Sequence, residues 1–218
     1  MGEATATARE LFRAAYENRY TWDENFPGYR AELTIRQGEE TFSGQVLVGA
    51  DLSVDVTGID DEKVRESAYN QMRDIVTHRK RANFEQSHGK NEFSLGNTDS
   101  NGAVEILVSG DAMGSNYKVR DRQICQVSRV MGPMAFTINT ADSLDTGAGY
   151  ISTRYSAVFR NAKTDELKGK SDFDEAYARV GDYYLPVQQV VNSIDKGGQK
   201  TATEFAFSNL RLLEAAAV

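Results

Sequence analysis

The sequence predicts an α+β fold that is mainly antiparallel β, with a curved half-barrel sheet of about eight to ten strands and two helices packed on it. Three observations favour this fold class. Two segments space their apolar residues as helices do, most of the remaining chain alternates between apolar and polar residues, and Gly, Asn and Asp clusters separate the alternating runs. Because a wide antiparallel sheet with one apolar face tends to curl, the helices are expected on its concave side.

The first predicted helix spans about residues 7–20. Thr7 and Glu10 form a capping-box pattern, in which each side chain accepts a hydrogen bond from the other residue's backbone N–H. The apolar residues that follow share one side of a helix, and they are Leu11, Phe12, Ala15 and Tyr16.

The second predicted helix spans about residues 60–80. Acids at 60–62 suit the positive end of the helix dipole, and the cations of 78–81 suit its negative end. Its apolar side is formed by Val64, Ala68, Met72, Ile75 and Val76.

The clearest predicted strand covers 151–160, where Ile151, Tyr155 and Phe159 face one way and the polar residues between them face the other. Two or three strands are expected between the helices, and a long antiparallel meander after them. The other predicted strands are 29–36, 52–57, 104–108, 116–121, 123–130, 134–140, 172–181, 184–194 and 201–212. No stretch rich in Pro, Gly and Ser interrupts this pattern, so residues 1–218 are predicted to form one domain.

Composition excludes several classes of protein. The 218 residues contain 32 acids and 25 bases, and a net charge of −7 gives no reason to expect a nucleic-acid partner. No apolar run is long enough for a transmembrane segment. The first five residues lack a secretory signal, and Cys125 is the sole cysteine. The expected location is therefore the cytoplasm, or the plastid stroma if a transit peptide was removed.

Common catalytic and cofactor motifs are missing. With two histidines and one cysteine spread along the chain, no metal site is expected, and no glycine-rich nucleotide motif indicates a cofactor. Alternation places Cys125 on the same face as Val127, which favours a small core residue over a nucleophile.

Two charged groups allow a functional interpretation beside a plainer one. The basic run at 78–81 could contact phosphate or an acidic partner, although helix C-termini favour cations in any case. Asp172 and Asp174 share a strand face and, with Tyr177 and Arg179, form the group that would carry an enzymatic activity. The plainer interpretation is a solvated acidic edge.

Aromatic residues concentrate in two parts of the chain, and arginines alternate with them. One interpretation is an ordinary core with an amphipathic surface. The other is an apolar cavity with a few polar groups, as in small-molecule sites. The candidate ligand-binding residues are Trp22, Phe26, Tyr29, Arg154, Tyr155, Tyr177 and Arg179.

Three segments carry a resemblance to a known family: residues 16–22 (YENRYTW), 25–31 (NFPGYRA) and 181–186 (GDYYLP). With them, nearly the whole chain resembles a conserved-domain family of unknown function found in cyanobacteria and plastids. The order of elements is also similar to the lipoprotein-carrier half-barrels of the LolA/LolB type, which implies an apolar cavity that holds acyl chains.

Two functional hypotheses follow from these residues and resemblances. The first is a non-enzymatic intracellular domain that binds a small apolar, lipid-like or pigment-like ligand in a half-barrel cavity. The alternative is an assembly or scaffold factor for a photosynthetic complex, which would meet a protein partner through the sheet surface or the basic run at 78–81.

Overall fold

The computed structural model describes residues 6–110 and 115–214, which form three helices and twelve strands. The helices are α1 (Ala8–Glu17), α2 (Glu62–Arg79) and α3 (Phe84–His88). The strands are β1 (Gly28–Gln37), β2 (Glu40–Gly49), β3 (Val54–Thr57), β4 (Glu92–Thr98), β5 (Val104–Ser109), β6 (Asn116–Arg120), β7 (Gln123–Met131), β8 (Met134–Asp145), β9 (Tyr150–Asn161), β10 (Leu167–Val180), β11 (Tyr183–Asp195) and β12 (Lys200–Leu212).

The strands are hydrogen-bonded neighbours in one sheet. Their order is β3-β2-β1-β12-β11-β10-β9-β8-β7-β6-β5-β4. Pairing is antiparallel, for example between β1 and β12 and between β8 and β9. Since β3 and β4 are the two edges, the sheet is open. The predicted fold class, α+β and mainly antiparallel β, is confirmed.

The described residues hold more elements than the sequence predicted. β2 carries glycines at 44 and 49, and β4 has only Phe93 and Leu95 as large apolar residues. The helix α3 has five residues, which is too short for a helical period to show.

Helix α1 begins as predicted and ends earlier. The Thr7 hydroxyl accepts a hydrogen bond from the Glu10 backbone N–H at 3.3 Å, and the Thr7 N–H donates to the Glu10 carboxylate at 2.8 Å. The helix stops at Glu17 because the next residues pair with a strand: Tyr150 N–H donates to Asn18 O, and Tyr20 N–H donates to Tyr150 O, both at 2.9 Å.

The residues group into two compact units, each built from three chain segments. Unit 1 contains the residues up to Tyr20, then Ala82–Asp172 and Ser193–Gln199. Unit 2 contains Thr21–Arg81, Phe173–Asn192 and the residues from Lys200 on. That the chain is one domain stays a prediction. No helix among the described residues is long and apolar enough to cross a membrane.

The core of unit 1 lies between α1 and one end of the sheet. Helix α1 contacts α3, β4, β6 and β7. Phe12 is fully buried, and its ring centroid lies 4.5 Å from that of Tyr117 and 5.3 Å from that of Phe93. The rest of this cluster includes Ala8, Ala15, Tyr16, Phe84, Ile106, Val108 and Val119.

The core of unit 2 lies on one face of β1 and its two neighbours. Leu33 and Ile35 are buried and pair with Phe207 and Phe205 of β12. Helix α2 contacts β3 and buries Val64, Ala68, Met72, Ile75 and Val76, which is the predicted apolar side. Gly28, at the start of β1, has a φ of +88°, and a Cβ there would lie 2.3 Å from Val48 O. Glycine is therefore required at this position.

Replacing Phe12 with alanine should destabilise the protein by about 3–5 kcal/mol, because the fully buried ring leaves a cavity under α1. Urea unfolding at neutral pH measures the loss. Glu17→Ala on the exposed side of the same helix removes only a surface ion pair with Arg13 and should cost less than about 1 kcal/mol. Similar losses in the two variants would contradict the packing described for α1.

Candidate functional site

Three of the predicted ligand-binding residues meet in unit 2. The rings of Trp22 and Phe26 stack with their centroids 4.1 Å apart, and Tyr29 meets Trp22 edge-on at 6.0 Å. All three are buried, and the Trp22 indole N–H donates to Tyr184 O at 3.2 Å. They form a packed aromatic cluster in the core of this unit, and their role as ligand contacts stays a prediction.

A second feature of unit 2 is a set of polar side chains inside the core, which we name the polar core group: Tyr29, Arg79, Glu175, Tyr177 and Gln189. The Glu175 carboxylate accepts hydrogen bonds from the Tyr177 hydroxyl and from Gln189 Nε2, both at 2.6 Å. The Arg79 guanidinium lies 5.4 Å from the centre of the Tyr177 ring. Burying a carboxylate is costly without donors, and these contacts offset that cost.

Both phenols of the polar core group stay protonated. Burial, together with the phenol of Tyr177 nearby, raises the pKa of Tyr29 far above its usual value. Burial and then the negative charge of Glu175 raise the pKa of Tyr177 in the same direction. Tyr29 Oη and Gln189 Oε1 are buried and have no hydrogen-bond partner among the described residues.

The remaining predicted residues have other surroundings. Arg179 is exposed, and its guanidinium donates to Gly181 O at 2.9 Å and to the Asp182 carboxylate at 3.3 Å. In unit 1, Arg154 is exposed and pairs with Asp142, whereas Tyr155 is half-buried and points to the opposite side of β9.

The residues proposed for an enzymatic activity do not form one group. Asp172 forms an ion pair with Lys170 at 3.0 Å, Asp174 is exposed, and Tyr177 belongs to the polar core group. Across residues 6–110 and 115–214, no three metal-ligating side chains come together.

The alternation that placed Cys125 on the face of Val127 is interrupted in the structure. The register shifts between β6 and β7, so that Lys118 pairs with Gln126 but Val119 pairs with Ile124. Cys125 is the extra residue of this irregularity, and Ile124 takes the place beside the core. Burial raises the pKa of the Cys125 thiol, which disfavours the reactive thiolate.

Unit 1 carries a row of partly exposed apolar side chains next to its core, which we name the apolar face. Cα partners on neighbouring strands share a face: Val127 pairs with Ile138, and Phe136 pairs with Phe159 at a ring distance of 6.4 Å. Val127 also packs against the core cluster under α1, so the two surfaces are continuous. The members of the apolar face are Val127, Met131, Met134, Phe136, Ile138 and Phe159.

Arg129 borders the apolar face, and Arg19 lies near the same histidine, His88; we name Arg19 and Arg129 the arginine pair. Arg129 is the Cα partner of Phe136, and its Nη2 donates to Tyr117 Oη at 2.7 Å. The Arg19 guanidinium lies 3.8 Å from the centre of the Tyr16 ring, and its Nε donates to Tyr16 O at 2.9 Å. Burial and the positive charges of Arg129 and Arg19 lower the pKa of His88 to about 4, so His88 is neutral at pH 7.

Sequence reasoning missed the polar residues with the most unusual surroundings. Arg129, His88, Glu175 and Gln189 were absent from the candidates because each looks ordinary within its own segment. One available signal was Arg129 itself, since it occupies the face of β7 that alternation assigns to Val127.

Comparison with known proteins gives a family. Residues 3–213 match the family described as "Protein of unknown function (DUF3386)". The chain belongs to this family. The predicted resemblance to a conserved-domain family of unknown function is thereby confirmed, and the occurrence in cyanobacteria and plastids stays a prediction. No curated protein matches the chain.

Some solved structures are similar to this member of the DUF3386 family. A LolA superfamily protein, NE2245 from Nitrosomonas europaea, shares 13% identity and a TM-score of 0.37 over 96% of this chain and 95% of that chain. A DUF1329 family protein from Desulfovibrio piger has 11% sequence identity and a TM-score of 0.30, over 96% of this chain and 93% of that chain. The Pseudomonas aeruginosa complex of MucA and MucB has 10% sequence identity and a TM-score of 0.25, over 95% of this chain and 99% of that chain. Similarity at this level carries no information on ligand or activity.

Tyr177→Phe should destabilise the protein by about 1–3 kcal/mol, because it removes one of the donors that satisfy the buried Glu175 carboxylate. Urea unfolding at pH 7 provides the measurement. The matched control is Tyr183→Phe, because the Tyr183 hydroxyl donates to Asp23 at an exposed position. This variant should lose less than about 1 kcal/mol of stability. If the control lost as much stability as Tyr177→Phe, the polar core group would not hold a buried carboxylate as described.

His88 should make the protein sensitive to acid. Its pKa is about 4 in the folded protein and about 6.5 in the unfolded chain, so the unfolded chain binds the extra proton between these values. Stability is therefore lost as the pH falls through this window, by up to about 2 kcal/mol between pH 7 and pH 5.

Urea unfolding of His88→Phe at both pH values tests this prediction. The variant keeps a ring against Phe12 and Tyr16 and should lose less stability on acidification than the unmodified protein does. His78→Phe, at an exposed position of α2, is the control and should keep the full acid sensitivity. An unchanged pH dependence in His88→Phe would rule out His88 as its source.

Proposed function

We propose that this chain is a non-enzymatic binding protein that holds a small apolar molecule, lipid-like or pigment-like, on the apolar face of unit 1. The observation that carries the proposal is the partial exposure of that face. Phe136, Ile138 and Phe159 are all half-buried, although they lie on interior strands of the sheet. Apolar surface left open beside a core is typical of binding sites.

The dimensions of α1 explain why the apolar face stays open. A helix is about 10 Å wide with its side chains, and strands lie about 4.8 Å apart, so one helix covers two to four strands. Helix α1 contacts β4, β6 and β7. The side chains of β8 and β9 continue the same apolar row, and a bound apolar molecule would bury them at about 25 cal/mol per Å².

The rim of the apolar face suits ligands of variable shape. Met131 and Met134 pair across the turn between β7 and β8, and their exposed fractions are 61% and 44%. Methionine has an unbranched, polarizable side chain that adapts to irregular apolar surfaces. Both residues can therefore close over a ligand that lies against Phe136.

A protein partner is the second candidate, and one feature favours it. Val130, with an exposed fraction of 54%, lies on the other side of β7 from Met131. The β7–β8 hairpin thus presents large apolar side chains on both sides of its tip, as a docking segment of an assembly factor would.

Native mass spectrometry of protein purified gently from its own host separates the two candidates. We expect a mass excess over the polypeptide that disappears on denaturation, which would also give the mass of the bound molecule. Equal native and denatured masses, together with one stoichiometric protein partner, would overturn the small-molecule proposal and favour docking.

Phe136→Gln should weaken binding of the neutral fluorescent probe N-phenylnaphthylamine by about tenfold or more, because it removes a large aromatic contact from the apolar face. Fluorescence titration gives the dissociation constants. The matched control is Thr137→Gln, the next residue of β8, which is also half-buried but points to the other side of the sheet. Equal affinities of the two variants would place probe binding elsewhere.

A further inference from the structure

The arginine pair of unit 1 lacks a carboxylate partner among the described residues and is partly buried, whereas other arginines without an ion pair there, such as Arg30 and Arg73, are exposed. Arg9, Arg13 and Arg36 each lie within ion-pair distance of a carboxylate. Within residues 6–110 and 115–214, neither Arg19 nor Arg129 has such a partner. Both side chains are nevertheless partly buried. A charge that is partly removed from water without a counter-charge is destabilised, so an anion that reached it would be bound favourably.

Arg129 also has an unsatisfied donor. Its Nη2 donates to Tyr117 Oη, while its Nε is buried and has no hydrogen-bond partner among the described residues. Guanidinium groups bind carboxylates and phosphates through two parallel N–H donors, and these bonds are among the stronger ones in proteins. An anionic oxygen is thus the chemistry that would satisfy Arg129.

Aromatic rings hold the arginine pair in place. Arg19 lies over Tyr16 and Arg129 lies near Tyr117, and both rings belong to the core cluster under α1. Phe12 links the two rings, with centroid distances of 6.1 Å to Tyr16 and 4.5 Å to Tyr117. Each cation is therefore held against an aromatic ring of the core, which reduces the conformational entropy lost when it binds an anion.

Arg129 adjoins the apolar face directly. Arg129 lies in the same cross-strand row as Phe136 and Phe159, between Val127 and Met131 on β7. A ligand whose charged end met Arg129 would lay its apolar part against the two phenylalanines. One molecule that used both features would have to be amphipathic.

We propose that the arginine pair binds the anionic head group, carboxylate or phosphate, of an amphipathic ligand whose apolar chain lies on the apolar face. This inference rests on the proposed function and specifies the class of ligand. His88 does not compete for the anion, because it is neutral at pH 7 and its Nδ1 lies 3.2 Å from the Asn91 side-chain amide.

Displacement of N-phenylnaphthylamine by two ligands of equal chain length tests the head-group inference. Dodecanoate should displace the probe at a concentration about tenfold or more below that of dodecanol, since a hydrogen-bonded ion pair adds to the same apolar contact. Equal displacement by both ligands would overturn the anionic head group and leave the proposed function standing. Failure of the probe and of both ligands to bind would overturn the proposed function itself.

Arginine variants identify the residues that bind the head group. Arg129→Gln should weaken dodecanoate binding by about 10- to 100-fold and change dodecanol binding little, and Arg19→Gln should have a smaller effect of the same kind. Arg129→Lys keeps the charge and should recover part of the affinity for dodecanoate. The control is Arg160→Gln, on the opposite side of β9, which should bind as the unmodified protein does. Parallel losses for dodecanoate and dodecanol in Arg129→Gln would show a structural role and contradict the inference.

Free anions form the last arm of the experiment. Acetate and inorganic phosphate carry the same charged chemistry without a chain, so each should compete with dodecanoate at least about a hundredfold more weakly. Competition by either ion at the concentration of dodecanoate would mean a site for free anions and would overturn the amphipathic ligand. Thermal unfolding of each variant shows that it is folded; if Arg129→Gln unfolds, Arg129→Lys and Arg19→Gln carry the test.

Discussion

The small size of helix α1 relative to the sheet of unit 1 determines how much of the apolar face is covered. Helix α1 has ten residues, so it is about 15 Å long, and it contacts strands up to β7. The strands β8 and β9 continue the apolar row of β7, and Phe136 and Phe159 in that row are half-buried. Because α1 is small relative to this face of the sheet, Phe136 and Phe159 are partly exposed. The two methionines and Arg129 lie beside them. A longer helix would have made an ordinary core of the same strands.

The net charge of the chain is negative, whereas the arginine pair places positive charge inside unit 1. The net charge is −7, so the average field repels anions. Inside unit 1, burial and then the positive charges of Arg129 and Arg19 lower the pKa of His88. Unit 2 shows the other arrangement, in which the buried Glu175 and Arg79 belong to one group and the hydroxyl of Tyr177 bonds the carboxylate. The units thus bury charge in different ways, one with an internal counter-charge and one without it.

Local patterns made the fold class predictable and left the sites out of reach. The capping box at Thr7 and the alternation along 151–160 depend on neighbours in sequence, and both are present in the structure. The arginine pair depends on residues 110 positions apart, and no periodicity connects Arg19 with Arg129. Cys125 shows the same limit on a smaller scale, since one extra residue in β7 shifts the register and brings Ile124 against the core. Aromatic composition drew attention to Trp22, Phe26 and Tyr29, whose rings contact one another, but it does not separate a packed core from a ligand contact.

The pairing of β1 with β12 has a consequence for the order in which the protein forms during synthesis. Leu33 pairs with Phe207, so β1 completes its ladder only after β12, far later in the sequence, has left the ribosome. The segments of unit 1 end at Gln199, before β12 begins. Chain growth therefore favours early folding of unit 1, which carries the apolar face. Until β12 is synthesised, β1 has one edge unpaired. Truncation a few residues into β12 would spare the segments of the first unit and leave the second without a strand that completes its core.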